Sequence, residues 1–299
     1  MASTAVAPTL RALLEHLVDY AGLFPPASLS MRDAVSEYAA QRAAAESWML
    51  GRFVVPAARL EELAVEVRDG GLARDGAWPL TVLVSADPHA DAATIRTFGE
   101  AQASLLPVRS VELRAATVAA VDQALSPLDP ALERYVEIPL EQEITPLLEA
   151  VKRQGAFAKV RTGGVTPDAF PSAGALADFI LACARLELPF KATAGLHHPL
   201  RGTQRLTYEA DAGSATMFGF LNVFLAAAMA GAGAHRDAVI RLLDERDATA
   251  FSFDTRELRW RDFALTAEQL GRTRAQLARS FGSCSFREPV SDLATLGIL

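Results

Sequence analysis

Ala158-Lys159-Val160-Arg161-Thr162-Gly163-Gly164 is answered further along the chain by Phe190-Lys191-Ala192-Thr193-Ala194-Gly195-Leu196-His197-His198. Each segment is a short apolar run that carries a lysine and ends at a glycine turn, the pattern of a buried strand entering a loop. Lysine is seldom fully buried unless something pairs with it. This chain also uses very little of it: of 29 Lys and Arg residues, lysine stands only at 152, 159 and 191, leaving 26 arginines. Arginine stays charged in any protein setting, whereas the pKa of a lysine can be moved by its surroundings to yield a nucleophilic amine. A compositional preference for arginine would account for the numbers without any chemistry.

Outward from these segments the chain alternates strand and helix. Apolar strands are expected near Leu23, Val54, Leu83, Glu112, Val136, Lys159 and Lys191, with a late one over 280–286. Helical spacing recurs at 9–20, 30–47, 60–67, 91–102, 118–125, 143–154 and 173–186. Repeated strand-then-helix units without hairpins imply parallel strands joined by crossover helices, and eight strands are the number for a closed barrel. The predicted fold is α/β: a (β/α)₈ barrel filling 1–299 as a single domain. It has an N-terminal helical extension over 9–20 and a mainly helical insertion at 201–279 before the last strand. Within that insertion the spacing predicts a loop (202–213), an apolar helix from Met217, a hairpin (251–253 against 258–260) and a helix at 267–278.

Composition narrows the function classes. With 51% hydrophobic and 22% charged residues the chain is not disordered. A net charge of −7 argues against nucleic acid or an anionic membrane as partner. Cys183 and Cys284 lack metal-ligand spacing, and the start of the chain, Met1 to Val6, shows no basic segment leading into an apolar run. A cytoplasmic location and no cofactor are therefore expected. The apolar stretch 217–233, interrupted by Asn222, reads as a buried or interface helix, so self-association joins the expectations.

Strand alternation puts Lys159 and Arg161 on one face, and Lys191 and Thr193 on one face. Active sites of such barrels lie at the C-terminal ends of the strands, where both lysine segments run out. Two amines and a guanidinium converging in a partly dry site disfavour protonation of each amine, which suits Schiff-base formation with a carbonyl, and Glu112 and Glu137 on the preceding strands would supply acid/base chemistry. The plainer alternative for these acids is a buried ion-pair layer with Arg114 and Arg161. Free backbone N–H groups at Thr162, Gly163, Gly164, Gly195 and the turn Gly282-Ser283-Cys284-Ser285 read as an anion cradle. His197 and His198 point apart if extended, which favours substrate binding or proton transfer over a metal site, and no metal is expected.

These motifs resemble those of the 2-deoxyribose-5-phosphate aldolase family, class I aldolases on a (β/α)₈ barrel. Lys159-Val160-Arg161-Thr162-Gly163 is similar to that family's Schiff-base segment, Lys191-Ala192-Thr193-Ala194-Gly195 to the segment of its second lysine, and Gly282-Ser283-Cys284-Ser285 to its phosphate-binding turn. The resemblance implies Lys159 as nucleophile, Lys191 as its tuning neighbour and a phosphate site after the last strand. Arg161 replaces a small residue of the family, Glu112 is longer than its aspartate, and 201–279 is foreign to it. The expectation is an aldolase-like lyase for a small anionic carbonyl compound, with a phosphorylated one among the candidates. The rival readings are a metal-dependent hydrolase or lyase using His197 or His198, and a non-catalytic metabolite-binding protein.

Overall fold

The computed structural model describes residues 6–73 and 76–299, so residues 1–5, read above for a leader, lie outside the described residues. In chain order α1 (Pro8–Leu14) and β1 (Val18–Tyr20) are followed by α2 (Met31–Arg42), β2 (Leu50–Pro56), α3 (Leu60–Asp69) and β3 (Leu80–Leu83). Then come α4 (Pro88–Gln102), β4 (Val108–Arg114), α5 (Val118–Leu125), β5 (Glu133–Glu137), α6 (Thr145–Arg153), β6 (Phe157–Arg161), α7 (Ala173–Leu186) and β7 (Phe190–Thr193). The chain continues through β8 (Gly202–Arg205), β9 (Ser214–Met217), α8 (Phe220–Gly231), α9 (Arg236–Leu243), β10 (Phe251–Phe253), β11 (Glu257–Trp260), β12 (Phe263–Thr266) and α10 (Ala267–Gln276). It ends with β13 (Ala278–Ser283) and α11 (Arg287–Thr295).

Eight strands close in the order β1-β13-β7-β6-β5-β4-β3-β2, every neighbour parallel. This is the TIM barrel, with helices around its outside. Local chemistry starts and aims those helices. Asp87, Thr117 and Ser172 each accept a hydrogen bond from a backbone N–H in the first turn of α4, α5 and α7, and Thr266 and Gln269 make a reciprocal capping box on α10. The helices turn apolar stripes inward, such as Leu60, Leu63, Ala64 and Val67 on α3. Each fully buried leucine contributes roughly 1.5–3 kcal/mol. Tyr38 on α2 stands edge-on to Phe53 at 5.3 Å and Trp78 at 4.9 Å, which fixes α2 over β2 and the approach to β3.

Three local expectations are corrected. The helix predicted over 9–20 stops at Leu14, because His16 takes a left-handed φ of 48°, and Val18–Tyr20 becomes the first barrel strand. That strand is therefore not near Leu23. The loop predicted at 202–213 opens and closes as the β8–β9 hairpin, Gly202 pairing with Met217 and Arg205 with Ser214. The last strand ends at Ser283, which leaves Cys284 and Ser285 in the turn before α11.

The segment between β7 and β13 holds helices and two small sheets. β10, β11 and β12 form an antiparallel sheet, so the predicted hairpin has a third strand. Helix α8 is buried along its length except at Gly231 and packs on α7, α9, α10 and β13, so it offers no free interface. Asn222 is tolerated inside it because Oδ1 accepts from Arg201 N at 2.9 Å and Nδ2 donates to the carbonyls of Leu242 and Glu245 at 2.7 and 2.9 Å. Segment Pro167–Leu186 is long and apolar enough to cross a membrane by composition, but Leu176, Phe179, Ile180 and Cys183 of α7 are spent on the barrel core.

Candidate active site

Parallel register brings the sequence-selected residues together. Lys159 pairs in register with Glu137 on one side and Lys191 on the other, while Glu112 lies one strand further round, opposite Tyr135. All of these side chains enter the barrel and meet as a row of alternating charge. Lys191 Nζ lies 2.5 Å from Asp19 Oδ2 and 2.6 Å from Glu112 Oε1. Glu112 Oε2 lies 2.7 Å from Lys159 Nζ, which is 3.1 Å from Glu137 Oε2. Glu137 Oε1 in turn accepts Arg161 Nε at 3.0 Å and faces Arg114 Nε at 3.0 Å.

The two lysines differ in access. Lys191, 1% exposed, is sealed below the site, its ammonium 5.1 Å from the centroid of the Tyr135 ring. Lys159 borders a cavity of about 730 Å³ at the C-terminal end of the barrel; Lys191 does not. Glu112, Glu137, Arg161 and Thr193 share that border. Phe24, Pro25, Val54, Leu83 and Leu113 form an apolar wall on the β1–β4 side.

Electrostatics separate the two acids. Burial by itself would raise the Glu112 carboxyl, but the Lys159 and Lys191 ammonium groups bring it down to about 2. Glu137 is likewise held low against burial, first by Lys159 and then by Arg161 and Arg114. Burial pulls on Lys191 in the opposite sense, yet Asp19 and Glu112 outweigh it and raise its pKa. The sequence reading of mutually repelling amines is therefore corrected: Glu112 stands between them, with one oxygen for each. Both Glu112 oxygens are engaged. Glu137 Oε2, although close to Lys159, accepts no hydrogen bond among the described residues, and it is buried. An unmatched buried acceptor 3.1 Å from an amine is positioned to receive its proton.

The glycine segments have a packing role. A Cβ on Gly163 would fall 2.4 Å from the Phe170 ring and 3.0 Å from Gly195 Cα, and Gly195 itself has φ of 72°. The ends of β6 and β7 thus touch backbone to backbone, with Thr162 Oγ1 donating to the Ala194 carbonyl at 2.5 Å. Gly164, Gly195 and Thr193 still border the cavity.

In the turn after β13, Ser283 Oγ donates to the Ser285 carbonyl at 2.7 Å, and Glu288 N donates to Ser285 Oγ at 3.2 Å. The Glu288 carboxylate stands at this turn: Oε2 accepts from Tyr208 OH at 3.0 Å and lies 3.3 Å from His197 Nδ1. Gly282, Cys284, Glu288 and His197 all border the cavity. His198 turns to Asp292 at 2.6 Å. Among the described residues no three His, Cys, Asp or Glu side chains are grouped to hold a metal ion.

Four site residues escaped the sequence reading. Asp19 was hidden in the over-long helix, although an acid inside Leu17-Val18-Asp19-Tyr20 signals a strand as much as the lysines do. Arg205 and Tyr208 come from the β8–β9 hairpin, whose arrival over the barrel has no local signal. Glu288 was legible as a helix-start acid, not as a cavity group. No family model matches the chain, and no curated protein matches it, so its likeness to known proteins rests on the TIM-barrel fold.

Proposed function

We propose that this chain is a Schiff-base lyase of aldolase type, acting on a small carbonyl compound that carries an anionic group. One observation carries the reading: Lys159 is the single lysine bordering the cavity among the described residues, and it lies between two carboxylates of unequal character. Attack on a carbonyl carbon needs the neutral amine, and Glu137 Oε2 is placed to take its proton. On attack a second amine proton passes to the carbonyl oxygen to give the carbinolamine hydroxyl, and the proton held by Glu137 then leaves with that hydroxyl as water. The resulting iminium retains the positive charge of the ammonium it replaces, so Glu112 and Glu137 stabilise it as they did the lysine. Lys191, kept charged by Asp19 and Glu112, holds Glu112 ionised throughout.

In cleavage of a β-hydroxy compound, the hydroxyl proton goes to a base and the O–H pair becomes the new C=O. The carbon–carbon pair moves into an enamine, and the iminium nitrogen regains its lone pair. Arg161 and Arg205, both at the cavity, are the groups for the substrate's anion. The order of an acid on β4 and lysines on β6 and β7 resembles the 2-deoxyribose-5-phosphate aldolase pattern and supports the reading, with a phosphate or carboxylate as the anion.

Borohydride reduction in the presence of acetaldehyde, glycolaldehyde, pyruvate or dihydroxyacetone phosphate, followed by peptide mass mapping, tests it. A reduced adduct on Lys159, absent from Lys159→Arg, is the expected result. An adduct on Lys191 alone would exchange the two roles, and no lysine adduct with any of the four would overturn the proposal.

A further inference from the structure

The cavity has a second polar station, after β7 and β13, that the Schiff-base chemistry at Lys159 does not use. Its centre is His197, four residues beyond the end of β7. Nδ1 of His197 faces three groups on the β13–α11 side: Glu288 Oε2 at 3.3 Å, Ser283 Oγ at 3.4 Å and Cys284 Sγ at 4.0 Å. Tyr208, brought in by the β8–β9 hairpin, donates to the same Glu288 oxygen at 3.0 Å and lies 3.6 Å from Cys284 Sγ. Because Cys284 and Glu288 crowd the same ring nitrogen, the group is not a relay in which an acid orients one nitrogen and a thiol is activated by the other. The other nitrogen, Nε2, makes no hydrogen bond among the described residues and keeps some exposure, and His197 borders the cavity.

We propose that His197, anchored by Glu288, is the acid–base residue for a second carbonyl component, an acceptor aldehyde, so that the cavity takes two carbonyl compounds and joins or separates them. This rests on the Lys159 reading of the preceding subsection. In the joining direction, the enamine carbon on Lys159 bonds to the acceptor carbonyl carbon. The C=O pair passes to the acceptor oxygen, which takes the proton from His197 Nε2, and the enamine nitrogen lone pair becomes the iminium C=N bond. Cleavage reverses each transfer, with neutral Nε2 taking the hydroxyl proton.

Electrostatics fit the role. Burial opposes protonation of His197, but Cys284 and Glu288 raise its pKa to about 9, which gives a proton donor at neutral pH. The charged and titratable groups around it are Glu288 and Asp292 on α11, Cys284 in the turn after β13, Tyr208 above and His198 beside it; His198 is bound to Asp292. Glu288 is held ionised, against burial, chiefly by His197 itself.

The test separates the two half-reactions in the full chain. Exchange of the α-protons of acetaldehyde or pyruvate in D₂O needs Lys159 and no acceptor, whereas addition to glycolaldehyde or glyceraldehyde needs both. Wild type is compared with His197→Gln, Glu288→Gln and the near-isosteric Tyr208→Phe, each checked for native melting.

For His197→Gln the expected result is α-proton exchange within about threefold of wild type, addition slowed by about 100-fold or more, and loss of the wild-type pH limb near 9. Glu288→Gln is expected to shift that limb down. Tyr208→Phe, which reaches His197 only through Glu288 and Cys284, is expected to cost under about tenfold. Addition unchanged in His197→Gln, or exchange and addition falling together, would overturn the proposal. So would exchange without addition to any acceptor in wild type. Absence of a Lys159 adduct in wild type would bring down this inference with the reading it rests on, and that outcome is recognised by the missing adduct.

Discussion

Two charged clusters lie inside this barrel, one at each end. At the N-terminal end Glu133 accepts Arg52 Nη1 at 2.7 Å, Arg279 Nη2 at 3.0 Å and the Tyr135 hydroxyl at 3.0 Å. At the C-terminal end the row Asp19, Lys191, Glu112, Lys159, Glu137 and Arg161 runs across the strands. The lower cluster is written in arginine and both Glu133 oxygens are filled by donors. The upper is built around two lysines with Arg161 at its end, leaves Glu137 Oε2 beside Lys159 with no hydrogen bond among the described residues, and opens on a cavity. Arginine cannot give up its proton, so the lower cluster can only hold the strands together. Lysine can exchange one, and two of the chain's three lysines are in the upper row. The contrast separates a structural ion layer from a reactive one by donor chemistry rather than by burial.

The sharpest way to break that contrast is Lys191→Met. It leaves Glu112 Oε1 and Asp19 Oδ2 without their shared cation, and a loss of roughly 3–5 kcal/mol is expected, measured by urea unfolding. A near-neutral result would mean that the upper row has no need of its buried charge.

The acid limb of stability has the next largest effect. Glu112 titrates at about 2 in the folded protein against 4.5 as its ordinary value. Its contribution, on the order of 3 kcal/mol, is thus complete above pH 4.5 and is lost as pH falls from there toward 2. Thermal melts of wild type and Glu112→Gln across this range should converge toward the acid end; parallel curves would contradict the pairing. Glu133→Gln has the smallest expected effect, about 1–2 kcal/mol, with borohydride trapping at Lys159 unaltered. Altered trapping would show that the two clusters act as one.

Much of this was readable along the chain. The eight-strand alternation, both lysines, Glu112, Glu137 and Arg161 follow from strand periodicity, because a charged residue inside an apolar run stands out wherever the run folds. Errors arose where a local pattern was ambiguous. Leu10, Leu13, Leu14 and Leu17 have helical spacing, and only the left-handed His16 breaks it, so Asp19 was assigned to the wrong element. The turn Gly282 to Ser285 has the composition of an anion cradle, but Glu288, one turn into α11, puts a carboxylate there.

The sequence by itself determined the closed barrel and the interior face that carries the lysines, since parallel strands covered by helices need continuous apolar runs and side chains alternate with period two. Tertiary structure alone decided which charges meet. The pairing of Lys191 with Asp19 spans the barrel seam, where the first strand closes on the last, and Tyr208 reaches Glu288 from a hairpin eighty residues earlier. Such contacts depend on closure of the whole sheet, and no local spacing encodes them.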